Sequence, residues 1–342
     1  MDKDIKAIIK EIRRNSNINS AVLLIFFVLM FVVSYFGAPL AELFVSENSE
    51  SFNSIHTLVI YTLIYAVGVP FSLLIMKLLK RKDGGFRVTE SFRKPQMSAG
   101  WIAKWVLIAV GMTYVLSFAS NIIFNIIQML TGVELHAATF STESTLLDKL
   151  VNFFAVVVLA PIFEELLFRA SNYRNSMKYG AWSMAIISGL TFGLWHSNYS
   201  QTFYTALLGV FSCLMYAKTK SIIPSIITHF CLNLIGGLQL MFIDYSVVNA
   251  INAGESVNTG DMLSTLAVML LFVGIIIGLA ITGLVLFIIE LVKHRESFHI
   301  ENELPEVPAV KKTLTYLTAP ITILMFLAFI AVTVINALYL DV

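Results

Sequence analysis

The chain has 342 residues, of which 57% are apolar and 13% charged, with a mean hydropathy of +0.80 and a formal net charge of +1. Such a composition excludes a soluble globular protein, and a near-neutral charge gives no electrostatic reason to expect nucleic acid as a partner. An all-α, polytopic transmembrane helix bundle is what remains.

About 20 mostly apolar residues cross a bilayer. By that measure nine spans are expected, at 21–36, 56–76, 101–130, 147–169, 181–196, 202–217, 222–243, 262–291 and 316–340. The fifth and sixth are short, which points to tilt, local thinning or burial in protein. The first apolar run is not trailed by a usual small-residue cleavage site, so it reads as a retained span, with Gly37-Ala38 as the alternative point of processing. Of 23 lysine and arginine residues, 21 fall on one side of a nine-span arrangement, leaving only Lys149 and Arg169. The opposite loops carry Glu42, Glu47, Glu50, Glu134, Glu143, Asp244, Glu255 and Asp261. Cytoplasmic loops hold the excess of basic residues, so the N-terminus is expected in the cytoplasm. The basic segment 77–100, with Gly84-Gly85 and Pro95, is expected on the lipid headgroups. Residues 293–314, with Glu301, Glu303, Pro305, Glu306 and Pro308, read as a solvated linker. Cys213 and Cys231 both lie in apolar runs and are assigned to packing, not to a disulfide. No internal repeat is evident, which counts against a repeat-built transporter. The expected division is residues 1–140 (spans 1–3), 141–243 (spans 4–7, carrying the polar motifs) and 244–342 (spans 8–9).

Ionisable groups within apolar spans are rare and mark function by default. Here they cluster on three segments. In the fourth span, Glu165 and Arg169 are four apart and can pair on one helix face. Glu164 is turned about 100° from Glu165 and faces elsewhere. Pro161 removes a donor and displaces the Val157 carbonyl, so a kink is predicted beside the carboxylates. The alternative is that this helix ends early and both glutamates meet water. His196 follows Phe192 by four residues, with Gly189 and Gly193 on a neighbouring stripe suited to close helix contact. Taken alone, His196 also reads as an interfacial side chain. His229 and Asn233 share a face about 6 Å apart along the axis; alone they equally suit an interhelical polar contact. Gly274 and Gly278 are read as a packing seam. Jointly, the carboxylates, imidazoles and amide suffice for amide hydrolysis by activated water, with donors for the oxyanion. A serine or cysteine nucleophile with an oriented base is missing.

Glu164-Glu165-x-x-x-Arg169, Phe192-x-x-x-His196 and His229-x-x-x-Asn233, in this order, resemble the signature of the CAAX protease and bacteriocin-processing family of intramembrane peptidases, also called the Abi family. The resemblance covers about residues 147–237. It implies a helical membrane bundle that cleaves near the cytoplasmic face, with Glu164 and His196 activating water. It makes His229 and Asn233 the oxyanion site, and Glu165 and Arg169 the support of the site or of the substrate end. The family's mechanism is read either as metal-dependent or as glutamate-dependent without metal. Glu164, Glu165, His196 and His229 contain the three protein ligands of a catalytic zinc site, but no HExxH helix is present, and the metal-free reading is favoured. The expected protein is therefore an intramembrane endopeptidase of the bacterial plasma membrane, its site toward the cytoplasm, acting on a membrane-associated protein or peptide. A noncatalytic membrane binding or immunity protein, and a proton-coupled transporter, are the alternatives.

Overall fold

The structure, a computed structural model, describes residues 2–81, 87–136, 145–300, 304 and 306–339. Gly84-Gly85, Glu143, Glu301, Glu303, Pro305 and Leu340 lie outside these residues. Among the described residues the regular elements are all helical. They are α1 (Asp2–Glu42), α2 (Phe52–Leu79), α3 (Ala99–Thr131), α4 (Leu146–Tyr179), α5 (Ala181–Trp195) and α6 (Tyr199–Thr219). After these come α7 (Ile223–Phe242), α8 (Tyr245–Asn252), α9 (Thr259–Lys293), α10 (Ala309–Leu317) and α11 (Pro320–Tyr339).

The nine expected apolar segments fall mainly on helices, but among the described residues seven helices are long and apolar enough to cross a bilayer: α1, α2, α3, α4, α7, α9 and α11. The difference is α5 and α6. Helix α5 has 15 residues, too few to span, and α6 has 21 but interrupts its apolar run with Ser, Gln, Thr and Tyr. Both are sheltered by protein, α6 by α3, α5 and α7 together. They form a close hairpin that glycine makes possible: a methyl on Gly193 would lie 2.2 Å from the Thr202 carbonyl oxygen, and one on Gly189 would lie 2.5 Å from that of Ala206. The expected seam at Gly189 and Gly193 is therefore real. The one expected at Gly274 and Gly278 is not, since among the described residues nothing lies within 4 Å of a methyl placed on either. Helix α9 instead crosses α3 at Gly283, where a methyl would lie 2.6 Å from the Gly111 Cα.

Helices α1, α2 and α11 cover one side of the central group α4–α7, and α3 and α9 the other. Outward, α9 exposes Leu270, Leu271, Ile281 and Val292, a continuous apolar face of the kind that lipid covers. The chain is an integral membrane protein.

Among the described residues of the expected linker, two parts pack against the bundle. A 3₁₀ turn at Arg295–Phe298 offers the Phe298 carbonyl to Trp182 Nε1 at 2.8 Å. Helix α10 then buries Lys312 and Tyr316, with Lys312 Nζ donating to the Leu304 carbonyl at 2.7 Å. Most of the segment's described residues are exposed, as a solvated segment should be, while the amphipathic Lys312 buries its apolar stem. Near the same end of the bundle, Lys104 pairs with the buried Glu290 at 2.7 Å, tying α3 to α9.

Candidate functional site

Helix α4 carries the carboxylates, and its backbone explains where they point. Residues Ala155–Leu159 form a π-turn in which Ala160 N–H bonds back five residues to the Ala155 carbonyl. The Val156 carbonyl would next need a donor from residue 160, already used, or from residue 161, which is Pro161 and has no N–H. Asn233 on α7 fills that place, its Nδ2 donating to the Val156 carbonyl at 2.8 Å. The predicted distortion at Pro161 exists, but it takes π form and leaves the carbonyl of Val156 open rather than that of Val157 alone. Helix α2 repeats the device. Its π-turn at Thr62–Gly68 ends with Val69 N–H bonded to the Ile64 carbonyl, directly before Pro70. A further π-turn at Leu166–Tyr173 follows the carboxylates, and Asn172 Nδ2 caps the Leu167 carbonyl at 2.8 Å.

This backbone brings four of the six expected site residues into one buried cluster. Glu165 and Arg169 are wholly buried, with Oε1 and Nη1 3.0 Å apart. The guanidinium also lies 4.3 Å from the centre of the Phe192 ring, a favourable cation–π placement. Gly209 on α6 admits it, since a methyl there would lie 3.0 Å from Arg169 Nη2. On its other side the Glu165 Oε1 accepts from His229 Nδ1 at 3.1 Å. A carboxylate can only accept, so His229 carries its proton on Nδ1 and presents Nε2 elsewhere. That Nε2 faces Glu164 Oε2 at 3.9 Å. Glu164 Oε2 takes no hydrogen bond from the described residues, while Glu164 Oε1 accepts from Tyr65 OH on α2 at 2.9 Å.

His196 stands one turn away. It caps the end of α5, and its Nδ1 lies 2.7 Å from the Phe192 carbonyl, so that nitrogen donates. His196 and His229 pack edge-on against the same Phe192 ring, at 4.8 Å and 5.6 Å between centres. Among the described residues the imidazole within 4 Å of a Glu164 oxygen is that of His229. His196 instead lines a polar cavity of about 140 Å³ with Ser197, Asn198, Gln201 and Asn336, ample for water. Asn233 reaches the site through the backbone of α4, its amide nitrogen committed to Val156. Among the described residues no group of three or more His, Cys, Asp or Glu side chains is arranged to hold a metal ion. Glu165 Oε1 is already shared between His229 and Arg169, and His196 stands apart, so the expected ligand set does not converge.

Tyr65 was missed by sequence reasoning. It is 6% exposed and stacks on Phe163 at 5.8 Å between ring centres, which holds its hydroxyl over Glu164. A tyrosine in an apolar span carries no signal of its own. The one available cue was Pro70, five residues on.

Fold and site together define an integral membrane helix bundle with a carboxylate–imidazole–guanidinium cluster buried between its central helices. Residues 146–235 match the family described as Rce1-like, type II CAAX prenyl endopeptidase, over the stretch that carries the motifs. The chain is also similar to the UPF0177 protein YbdI of Lactococcus lactis, at 28% identity over 146 residues, covering 42% of this chain and 76% of that protein. No solved structure matches.

Proposed function

We propose that the protein is an intramembrane endopeptidase that hydrolyses a peptide bond of a membrane-associated protein or peptide. The family match over α4–α7 supports the CAAX-type protease class. The observation that carries the chemistry is the facing pair Glu164 Oε2 and His229 Nε2, with His229 fixed from behind by Glu165. In this reading Glu164 takes a proton from water as the water oxygen bonds to the scissile carbonyl carbon. The proton then passes through His229 to the leaving amine as the C–N bond breaks. Glu165 and Arg169 orient the imidazole, in the manner of the third member of a triad. His196 stands where water enters from the polar cavity, and Asn233 holds the α4 backbone in the π form that aims Glu164. No step runs through a metal. The basic end of the bundle is assigned to the cytoplasm, and a site that acts from that side of the membrane is the family resemblance's implication.

The test is cleavage of membrane peptides in liposomes by wild type and Glu164→Gln, with and without chelator. Glu164→Gln is isosteric and leaves the Tyr65 contact possible, so it is expected to fold and insert normally while cleavage falls by at least about 100-fold, the lower range for a lost acid–base group. Chelator is expected to change nothing. Wild-type rates in the Gln variant would overturn the assignment of Glu164, and no cleavage by the wild type of any membrane peptide would favour a noncatalytic binding protein.

A further inference from the structure

Where α1, α4 and α5 meet, the bundle holds a cavity of about 20 Å³ that the peptidase reading does not use. Leu23, Phe168 and Met325 give it apolar walls, and three polar atoms interrupt them. These are Asn19 Oδ1 on α1, Asn172 Oδ1 on α4 and Ser188 Oγ on α5, none of which makes a hydrogen bond within the described residues. Their side chains belong to residues only 1%, 6% and 9% exposed, so solvent at the surface does not serve them.

The two amides are held in place by their other ends. Asn19 Nδ2 donates to the Asn172 carbonyl at 3.2 Å and to Ser176 Oγ at 2.7 Å, and Asn172 Nδ2 donates to the Leu167 carbonyl at 2.8 Å. A carbonyl only accepts, so neither amide can be turned over, and both oxygens are left needing a donor. A buried acceptor without one is costly. The Ser188 hydroxyl needs an acceptor in turn, and Cys213 beside it offers only a thiol, which accepts weakly.

We propose that this cavity binds one water molecule, which donates to Asn19 Oδ1 and Asn172 Oδ1 and accepts from Ser188 Oγ. Two hydrogens for two oxygens and a lone pair for one hydroxyl match the valence of water, and about three such bonds are usual for a buried one. The volume admits a single molecule. A cation fits less well, because no carboxylate lines the cavity to balance it. The water joins α1 and α5 to the π-turn Leu166–Tyr173, which starts directly after Glu165 and carries Arg169. It is a ligand of the turn that holds the ion pair, apart from any water consumed in hydrolysis.

The test is a crystal structure of the whole chain that shows ordered water, grown in sodium and again in rubidium, together with thermal unfolding of Ser188→Ala. One density peak within about 3.2 Å of all three polar atoms is expected, without anomalous signal in rubidium. No peak there would overturn the site, and a rubidium signal would overturn water as its occupant. Ser188→Ala leaves both amides in place and removes one of the three bonds, so it is expected to shift the folding equilibrium about fivefold toward the unfolded state. The same shift is expected in a Cys213→Ala background, which removes the thiol beside Ser188. Deleting a buried hydroxyl that has no partner relieves a cost instead, so an unchanged or raised midpoint in Ser188→Ala would overturn the proposal. Neither measurement reads cleavage, so failure of the peptidase reading would leave both results standing.

Discussion

Tyr65 shows how much of a buried carboxylate's behaviour is set by one neighbour. Its hydroxyl fixes Glu164 Oε1 and leaves Oε2 toward His229, so the acceptor that meets water is chosen by a residue on another helix. Tyr65→Phe keeps the ring stack with Phe163 and removes that bond. A hydrogen bond to a charged group contributes about 1.5–3 kcal/mol, so kcat is expected to fall by about tenfold or more while KM stays within about twofold. A matched rise in KM would mean that Tyr65 binds substrate instead. Arg169 tests the other end of the cluster. Arg169→Met leaves the Glu165 carboxylate buried without its cation, which costs about 3–5 kcal/mol; a detergent unfolding curve should show this, and Glu165→Gln introduced beside it should restore most of the loss. At this scale the motifs were legible in the sequence because charge in an apolar span is rare. The partner of Glu164 was not, since spacing along one helix is silent about which imidazole of two other helices comes nearest.

The elements that aim these side chains are two π-turns that precede prolines, in α2 before Pro70 and in α4 before Pro161. A proline was readable as a distortion, but whether the helix kinks or inserts a residue depends on what satisfies the carbonyl it orphans. Here Asn233 does so from α7, and that contact has no sequence signature beyond an amide in an apolar span. Pro161→Ala supplies the missing N–H, so α4 is expected to relax toward α-helical form, turning Glu164 away from His229. Misplacement by about 1 Å costs on the order of 100-fold in rate. The variant should therefore unfold no more easily than wild type, yet cleave at about one hundredth of its rate. A Pro161→Ala enzyme with normal turnover would sink the link between π-turn and site. The glycines teach the same lesson: Gly274 and Gly278 have the spacing of a seam and face outward, while Gly111 and Gly283, far apart in the chain, make the contact.

Across the whole molecule, the basic residues counted on one side in the sequence are tied together by long-range contacts. Gln96 N–H bonds the Thr219 carbonyl, Ile222 N–H bonds that of Ser91, and Arg174 bonds the Arg87 carbonyl. The 3₁₀ turn Val88–Phe92 thus clasps the ends of α4, α6 and α7, and Glu90 is its ionic anchor to Arg174. The hydrogen bond and charge of Arg174 hold the Glu90 carboxyl below its ordinary value of 4.5. A carboxyl lowered in the folded state stabilises that state fully above its unfolded value. The contribution fades as pH falls from there through the folded value, once Glu90 takes a proton in both states. The clasp should therefore hold at neutral pH and loosen in acid. Glu90→Gln is expected to be the more readily nicked by protease near residue 90 at pH 7, and to match wild type well below pH 4.5 when a protease active in acid is used. A difference that persisted undiminished into that range would show that Glu90 holds the clasp by shape rather than by charge.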